Sequence, residues 1–288
     1  MTAESFEDRR WRAVWHGIRL MGVQTRGAAA GAARAHGAYA VAAAAMGRLL
    51  SAAALVGSDL KETGSYLRLT AEGGGPLGRV RAEAHADGLL RARVDHPGIQ
   101  LPPTAPGKLP VGAAVGSDGS LVAERVAANG RVYTSASELV SGELGEDVAQ
   151  FLWSSEQVRS AVALGVLVDR DGSVAASGGL LIQALPGADA KERECLGERV
   201  ATLTNLSWRL AAGERVPDLL GWVVDKPLAD WVVESLHFGC RCSPERSRQV
   251  LLVAPPAERR AWAQEGGAEV VCHYCGARYR FSPDEVMA

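Results

Sequence analysis

Four of the five cysteines in this 288-residue chain fall in its last fifty residues. They form a CxC pair in "HFGCRCSPERSRQ" (Cys240, Cys242) and a CxxC pair in "VVCHYCGARYRF" (Cys272, Cys275). Sulfur at that spacing suits two chemistries, and the two can alternate. The thiols can close disulfides, or four thiolates can enclose one metal ion in a closed tetrahedral site. Among metals, thiolates suit zinc, whereas calcium and magnesium want oxygen; an iron–sulfur centre is the other sulfur-based option. One zinc per chain, held by Cys240, Cys242, Cys272 and Cys275, is the expectation from the residues alone. His237 and His273 flank the pairs, and with four sulfurs available they are read as edge residues rather than ligands. For both sulfurs of a CxC to converge on one ion the chain must turn, and Gly239 and Ser243-Pro244 are placed to permit it. Gly276 follows the last cysteine in the manner of a zinc knuckle.

The elements that must position these sulfurs can be sketched from periodicity. Residues 1–185 read as an α+β domain: one long or two short alanine-dense helices over Gly27–Leu60, then period-two runs such as "SYLRLTAE" and "LLRARV" separated by turn residues, hence antiparallel sheet. A hairpin is expected around "ANG" (128–130), an amphipathic helix within 141–158, and two further strands around "DRDG". Residues 186–232 read as a helical linker, with Leu196, Val200, Leu203, Leu206 and Leu210 on one face. Such a segment has little bulk of its own and stays folded only while its stripe is covered. Residues 233–288 form the zinc domain, too small for a self-sufficient core, so loss of the ion would remove on the order of 10 kcal/mol of folding free energy. Cys195, in the linker, is read as a small buried side chain.

Composition narrows the function. A hydrophobic fraction of 47%, with 22% charged residues, is globular, and the net charge of −2 gives no whole-chain attraction to nucleic acid or anionic membrane. Over 233–288 seven arginines face seven carboxylates, so the terminal piece has no phosphate-binding surplus either. The stretch "GAYAVAAAAMGRLLSAAALVG" is apolar but alanine-rich and interrupted by Arg48, which reads as a buried helix rather than a membrane span. No secretory leader pattern is found at the amino terminus, so a cytoplasmic chain is expected, where clustered thiols serve metals or redox chemistry. The sequence holds no G-x-S-x-G, P-loop or HExxH, and four sulfurs leave no open position on an ion; an enzyme is not expected.

"FGCRCS" and "CHYCGARYRF", together with "MGRLLSAAALVGSDLK", "GELGEDVAQ", "SSEQVRSAVALGV" and "SGGLLIQALPGA", resemble the heat-shock protein 33 family of bacterial redox-regulated chaperones. The resemblance implies an ATP-independent holdase, inactive while reduced and zinc-bound and active under oxidative or heat stress. It implies disulfides Cys240–Cys242 and Cys272–Cys275 in the oxidised form, zinc release, linker unfolding, and capture of unfolding client proteins by a homodimer. In that scheme the zinc domain covers the linker, the linker covers part of the main sheet, and the stripe 196/200/203/206/210 becomes client surface. The competing expectation is an adaptor, or a nucleic-acid-binding protein, whose zinc ribbon is purely structural. The two differ in sign: oxidation should raise binding by the chaperone and abolish it in the adaptor.

Overall fold

The computed structural model describes residues 7–105, 107–186, 188, 199–200, 205–226, 228 and 230–288. The chain divides into two units, Met1–Phe238 and Gly239–Ala288.

The first unit opens with an antiparallel hairpin, β1 (Arg9–Trp15) and β2 (Ile18–Gln24), followed by helices α1 (Arg26–His36) and α2 (Ala40–Val56). Next come β3 (Tyr66–Glu72), β4 (Val80–His85), β5 (Leu89–Val94), the short helix α3 (Val111–Val115), β6 (Ser120–Val126) and β7 (Val132–Glu138). Helix α4 (Gly145–Ser154) precedes β8 (Ser160–Val168) and β9 (Val174–Ala184). The helices α5 (Leu206–Ala211) and α6 (Val216–Val224) and the short strands β10 (Val232–Ser235) and β11 (His237–Phe238) complete the unit. The strands make two sheets, ordered β10-β1-β2-β9-β8 and β11-β5-β4-β3-β6-β7, antiparallel throughout the described pairs except β11 beside β5. The α+β class read from the sequence is therefore found, with two sheets where the pattern suggested one.

Helix α2 shows why the alanine run is there. It packs on strands of both sheets, and every residue from Val41 to Val56 except Arg48 is buried. Two sheets can close on one helix only if its side chains are short; a Cβ on Gly47 would come within 2.9 Å of Val166 Cγ2. Arg48 escapes burial by bonding Glu143 Oε2 at 2.6 Å. The apolar stretch long enough to span a membrane is thus packed inside the protein.

The opening hairpin was hidden from pattern reading. Arg10 and Arg12 point to the α2 side of the sheet, where Arg10 Nη1 donates to Ala54 O and Arg12 Nη1 to Ser58 O, each at 3.0 Å. Both guanidinium groups also pair with Glu234 on β10, at 2.6 and 3.0 Å. Inward charges thus break the expected polar and apolar alternation and are satisfied by helix-end carbonyls and a carboxylate distant in sequence. Pairing of β10 with β1 and of β11 with β5 draws residues 232–238 into the first unit, beyond the expected start of the terminal piece at 233.

The other face of the five-stranded sheet carries α5 and α6. Ile18, Leu20, Leu180 and Ile182 lie under Leu206, Leu210, Val216, Leu219, Leu220 and Val223 in one cluster. Each fully buried aliphatic side chain there contributes about 1.5–3 kcal/mol. Glycines clear the way for this close approach: a Cβ on Gly22 would stand 2.2 Å from Val216 Cγ1, and one on Gly178 would stand 2.8 Å from Leu210 Cδ1. Of the expected linker stripe, Val200, Leu206 and Leu210 are buried in this cluster, while Leu196, Leu203 and Cys195 lie outside the described residues. The stripe does not run on one continuous helix, since α5 starts after a turn at Asn205. The face of α6 built by Val216, Leu219, Leu220 and Val223 was not singled out from the sequence.

The terminal unit comprises α7 (Pro244–Leu252), α8 (Pro256–Gln264), the hairpin β12 (Ala268–Val271) with β13 (Arg278–Phe281), and α9 (Pro283–Met287). Its buried core is Leu251, Phe281 and Val286, with Trp262, Ala268, Val270 and Tyr279 partly buried around them. So small a core does not hold fifty residues by itself.

Candidate metal centre

The CxxC pair sits in the loop of the β12–β13 hairpin. The register closes at Val271 opposite Arg278, leaving the six residues "CHYCGA" to turn. Cys272 N donates to Ala277 O at 2.8 Å and Gly276 N to Cys272 O at 2.9 Å, and Gly276 takes the left-handed conformation (φ 71°) that the turn requires. The CxC pair lies in non-helical chain just before α7. There the structure departs from the expected turn at Ser243-Pro244: Ser243 caps α7, its Oγ accepting from Arg246 N at 3.3 Å, and Pro244 occupies the first turn, where its missing N–H costs nothing.

These two segments bring the four sulfurs within 4.8 Å of one another. Cys240 Sγ stands 3.5 Å from Cys272 Sγ, and Cys242 Sγ 3.4 Å from Cys275 Sγ. None of the four is in a disulfide. Sulfurs bound tetrahedrally at 2.3 Å from a zinc ion would be about 3.8 Å apart, so the cluster has the dimensions of a closed thiolate site. His237 lies on β11 in the first unit and His273 is outside the sulfur cluster.

The electrostatics of the cluster call for a cation. Burial pushes the Cys240 thiol up, as do the neighbouring sulfurs, and the same causes raise Cys275. Burial also opposes ionisation of Cys272, but the N–H groups of Tyr274 and Cys275 and the adjoining thiols outweigh it and bring its pKa down to about 7. The pull on Cys272 and the push on Cys240 and Cys275 are those of sulfurs crowded together, and a bound dication is what offsets the charge of such a cluster.

One contributor was missed in the sequence. Tyr279, on β13, donates its hydroxyl to Cys242 Sγ at 3.1 Å, and that bond pushes its own pKa up to about 12. An aromatic residue four positions after the last cysteine is the only sequence signal for it, and packing explains such a residue equally well.

Fold and cluster together define a two-unit protein with a four-cysteine cluster able to coordinate a metal in its terminal unit. A model of the family described as Hsp33 protein matches residues 8–282. The 33 kDa chaperonin of Symbiobacterium thermophilum is 40% identical over 273 residues, covering 94% of this chain and 92% of its own. That of Acaryochloris marina is 42% identical over 277 residues, covering 94% and 91%. The crystal structure of the 33 kDa chaperonin (heat shock protein 33 homolog) from Thermotoga maritima superposes with a TM-score of 0.91 at 31% identity, covering 97% of this chain and 96% of that one. The chain belongs to the Hsp33 family of bacterial redox-regulated chaperones. Its function is that of a redox-regulated chaperone linked to a metal-binding cysteine cluster; members of the family are non-catalytic and bind unfolded client proteins.

Proposed function

We propose that Cys240, Cys242, Cys272 and Cys275 hold one zinc ion per chain in the reduced protein, and that their oxidation switches the chaperone on. The observation that carries this reading is the meeting of four sulfurs, from two separate segments, in a unit whose buried core has three residues. Zinc supplies the cross-link that such a core lacks, so metal binding and folding of the unit are one event. Peroxide takes two electrons from each pair, giving Cys240–Cys242 and Cys272–Cys275 disulfides. A sulfur committed to a disulfide no longer donates as a thiolate, and the unit loses its cross-link.

The second half of the switch is the docked linker. Val200, Leu206, Leu210 and the α6 residues Val216, Leu219, Leu220 and Val223 cover the apolar face of the five-stranded sheet. Their undocking presents two apolar surfaces to unfolding clients without ATP. Leu196 and Leu203 belong to the same proposed client surface. Activity resides in an oxidised homodimer acting in the cytoplasm, where reducing conditions otherwise keep the cysteines reduced and able to hold the ion.

Metal and free thiols counted before and after peroxide, alongside suppression of client aggregation, test the reading. One ion and four thiols per chain should be lost as suppression rises. Suppression unchanged after full metal release would contradict it.

A further inference from the structure

Main-chain N–H groups donate to sulfurs of the cluster: Cys242 N to Cys240, Tyr274 N and Cys275 N to Cys272, and Ala277 N to Cys275. Cys242 receives a donor from outside the cysteine segments, the Tyr279 hydroxyl at 3.1 Å. Tyr279 is held for this task. It lies opposite Val270 in the β12–β13 hairpin, and its ring packs beside Leu251, Phe281 and Val286. The hydroxyl therefore reaches from the strand following the CxxC loop across to a sulfur of the CxC segment, tying the two halves of the cluster together.

We propose that Tyr279 is a positioning residue that sets the oxidant threshold of the CxC half of the switch by hydrogen bonding to Cys242. The proposal rests on the reading that the four sulfurs hold zinc when reduced. A donor aimed at a thiolate withdraws electron density from the lone pair that must attack the oxidant. In the attack, the Cys242 sulfur forms an S–O bond to peroxide, the O–O bond breaks, and hydroxide leaves. The Cys240 thiolate then forms the S–S bond to that sulfur, the S–O bond breaks, and a second hydroxide leaves; two electrons have passed from two sulfurs to one peroxide. The Tyr279 bond stabilises the starting thiolate and is lost as the sulfur lone pair is used. It therefore raises the barrier to the first step.

Tyr279→Phe keeps the ring and its packing and removes only the donor. A charge-assisted hydrogen bond at a partly exposed site corresponds to about a three- to tenfold change in rate. At equal zinc loading, the variant should release zinc to a chromophoric chelator under peroxide about three- to tenfold faster than wild type. Mass-spectrometric trapping of thiols should place the acceleration at Cys242 and Cys240, with Cys272 and Cys275 following their wild-type course. With cobalt(II) as the probe ion, the sulfur-to-metal charge-transfer band should move to lower energy in the variant, a signature that loss of packing alone does not produce. Equal release rates together with superimposable cobalt spectra would overturn the role of Tyr279 and leave the zinc reading intact. Wild-type protein that takes up neither zinc nor cobalt when reduced would overturn the zinc reading, and this proposal with it.

Discussion

Gly22→Ala converts a packing detail into a test of the switch. Gly22 lies on β2 beneath α6, and a Cβ there would stand 2.2 Å from Val216 Cγ1, 3.0 Å from Leu180 Cδ2 and 3.2 Å from Leu220 Cδ1. Carbon atoms pack comfortably at about 3.5–4.0 Å, so α6 must retreat from the sheet by roughly 1 Å or more at Val216. Overpacking of this kind costs about 1–3 kcal/mol, of which alanine's better fit to a strand returns about 0.5–1. The midpoints of those ranges leave a net cost of about 1.25 kcal/mol, which shifts the ratio of docked to undocked linker by about eightfold. Because Val216 and Leu220 belong to α6, undocking is the relief available to the helix. The expected outcome is a reduced, zinc-loaded variant that suppresses aggregation of a heat-unfolded client without oxidant. Hydrogen exchange over 216–224 should be faster by the same factor. Gly47→Ala is the control: its Cβ would meet Val166 Cγ2 at 2.9 Å in the core around α2, away from the linker. That variant should melt at lower temperature yet remain inactive when reduced. A Gly22→Ala protein with wild-type protection in α6 and no activity until oxidised would refute the reasoning.

Other perturbations separate the parts. Cys275→Ser should abolish metal binding and cost the terminal unit on the order of 10 kcal/mol of folding free energy, seen as loss of near-ultraviolet dichroism from Trp262 and Tyr279. Glu83, fully buried, accepts from Arg68 Nε at 2.8 Å, Arg91 Nε at 2.6 Å and His85 Nε2 at 3.3 Å. Glu83→Gln removes the buried charge that Arg68 and Arg91 face and should lower stability in urea by about 3 kcal/mol; a loss below about 1 would show that the network contributes little. Asp8 is pushed up to about 6 by burial, against the N–H groups of Gly27 and Ala28 at the start of α1. Its folded pKa exceeds the unfolded value of 3.8, so protonation favours the folded state. The contribution, about 3 kcal/mol, is full below pH 3.8 and is lost as pH rises through 6. Asp8→Asn should flatten that part of the stability profile, as measured by urea unfolding across pH 4–7.

What the sequence made legible was local. The alanine-dense helices, the "ANG" hairpin between β6 and β7, the "DRDG" turn between β8 and β9 and helix α4 all follow from periods and turn residues within about twenty positions. The four cysteines could be named because their spacing within each pair is itself the signal. Long-range satisfaction stayed hidden. Nothing near Arg10 announces that Glu234 will neutralise it, so β1 does not read as a half-buried strand, and all of β10 but Val232 falls within the expected terminal piece. The close docking of α6 depends on Gly22, whose meaning shows only when Val216 lies over it. Tyr279 likewise shows its role only once β13 aims its hydroxyl at Cys242.

Hydrogen–deuterium exchange of the reduced, zinc-loaded protein, before and after stoichiometric peroxide, bears on the central claim most directly. Before oxidation, amides in 239–288 and in α5 and α6 should be protected. After loss of one zinc per chain both regions should exchange freely, while α2 stays protected. Retained protection over 239–288 in metal-free protein, or over 206–224 in protein that is binding clients, would contradict the account.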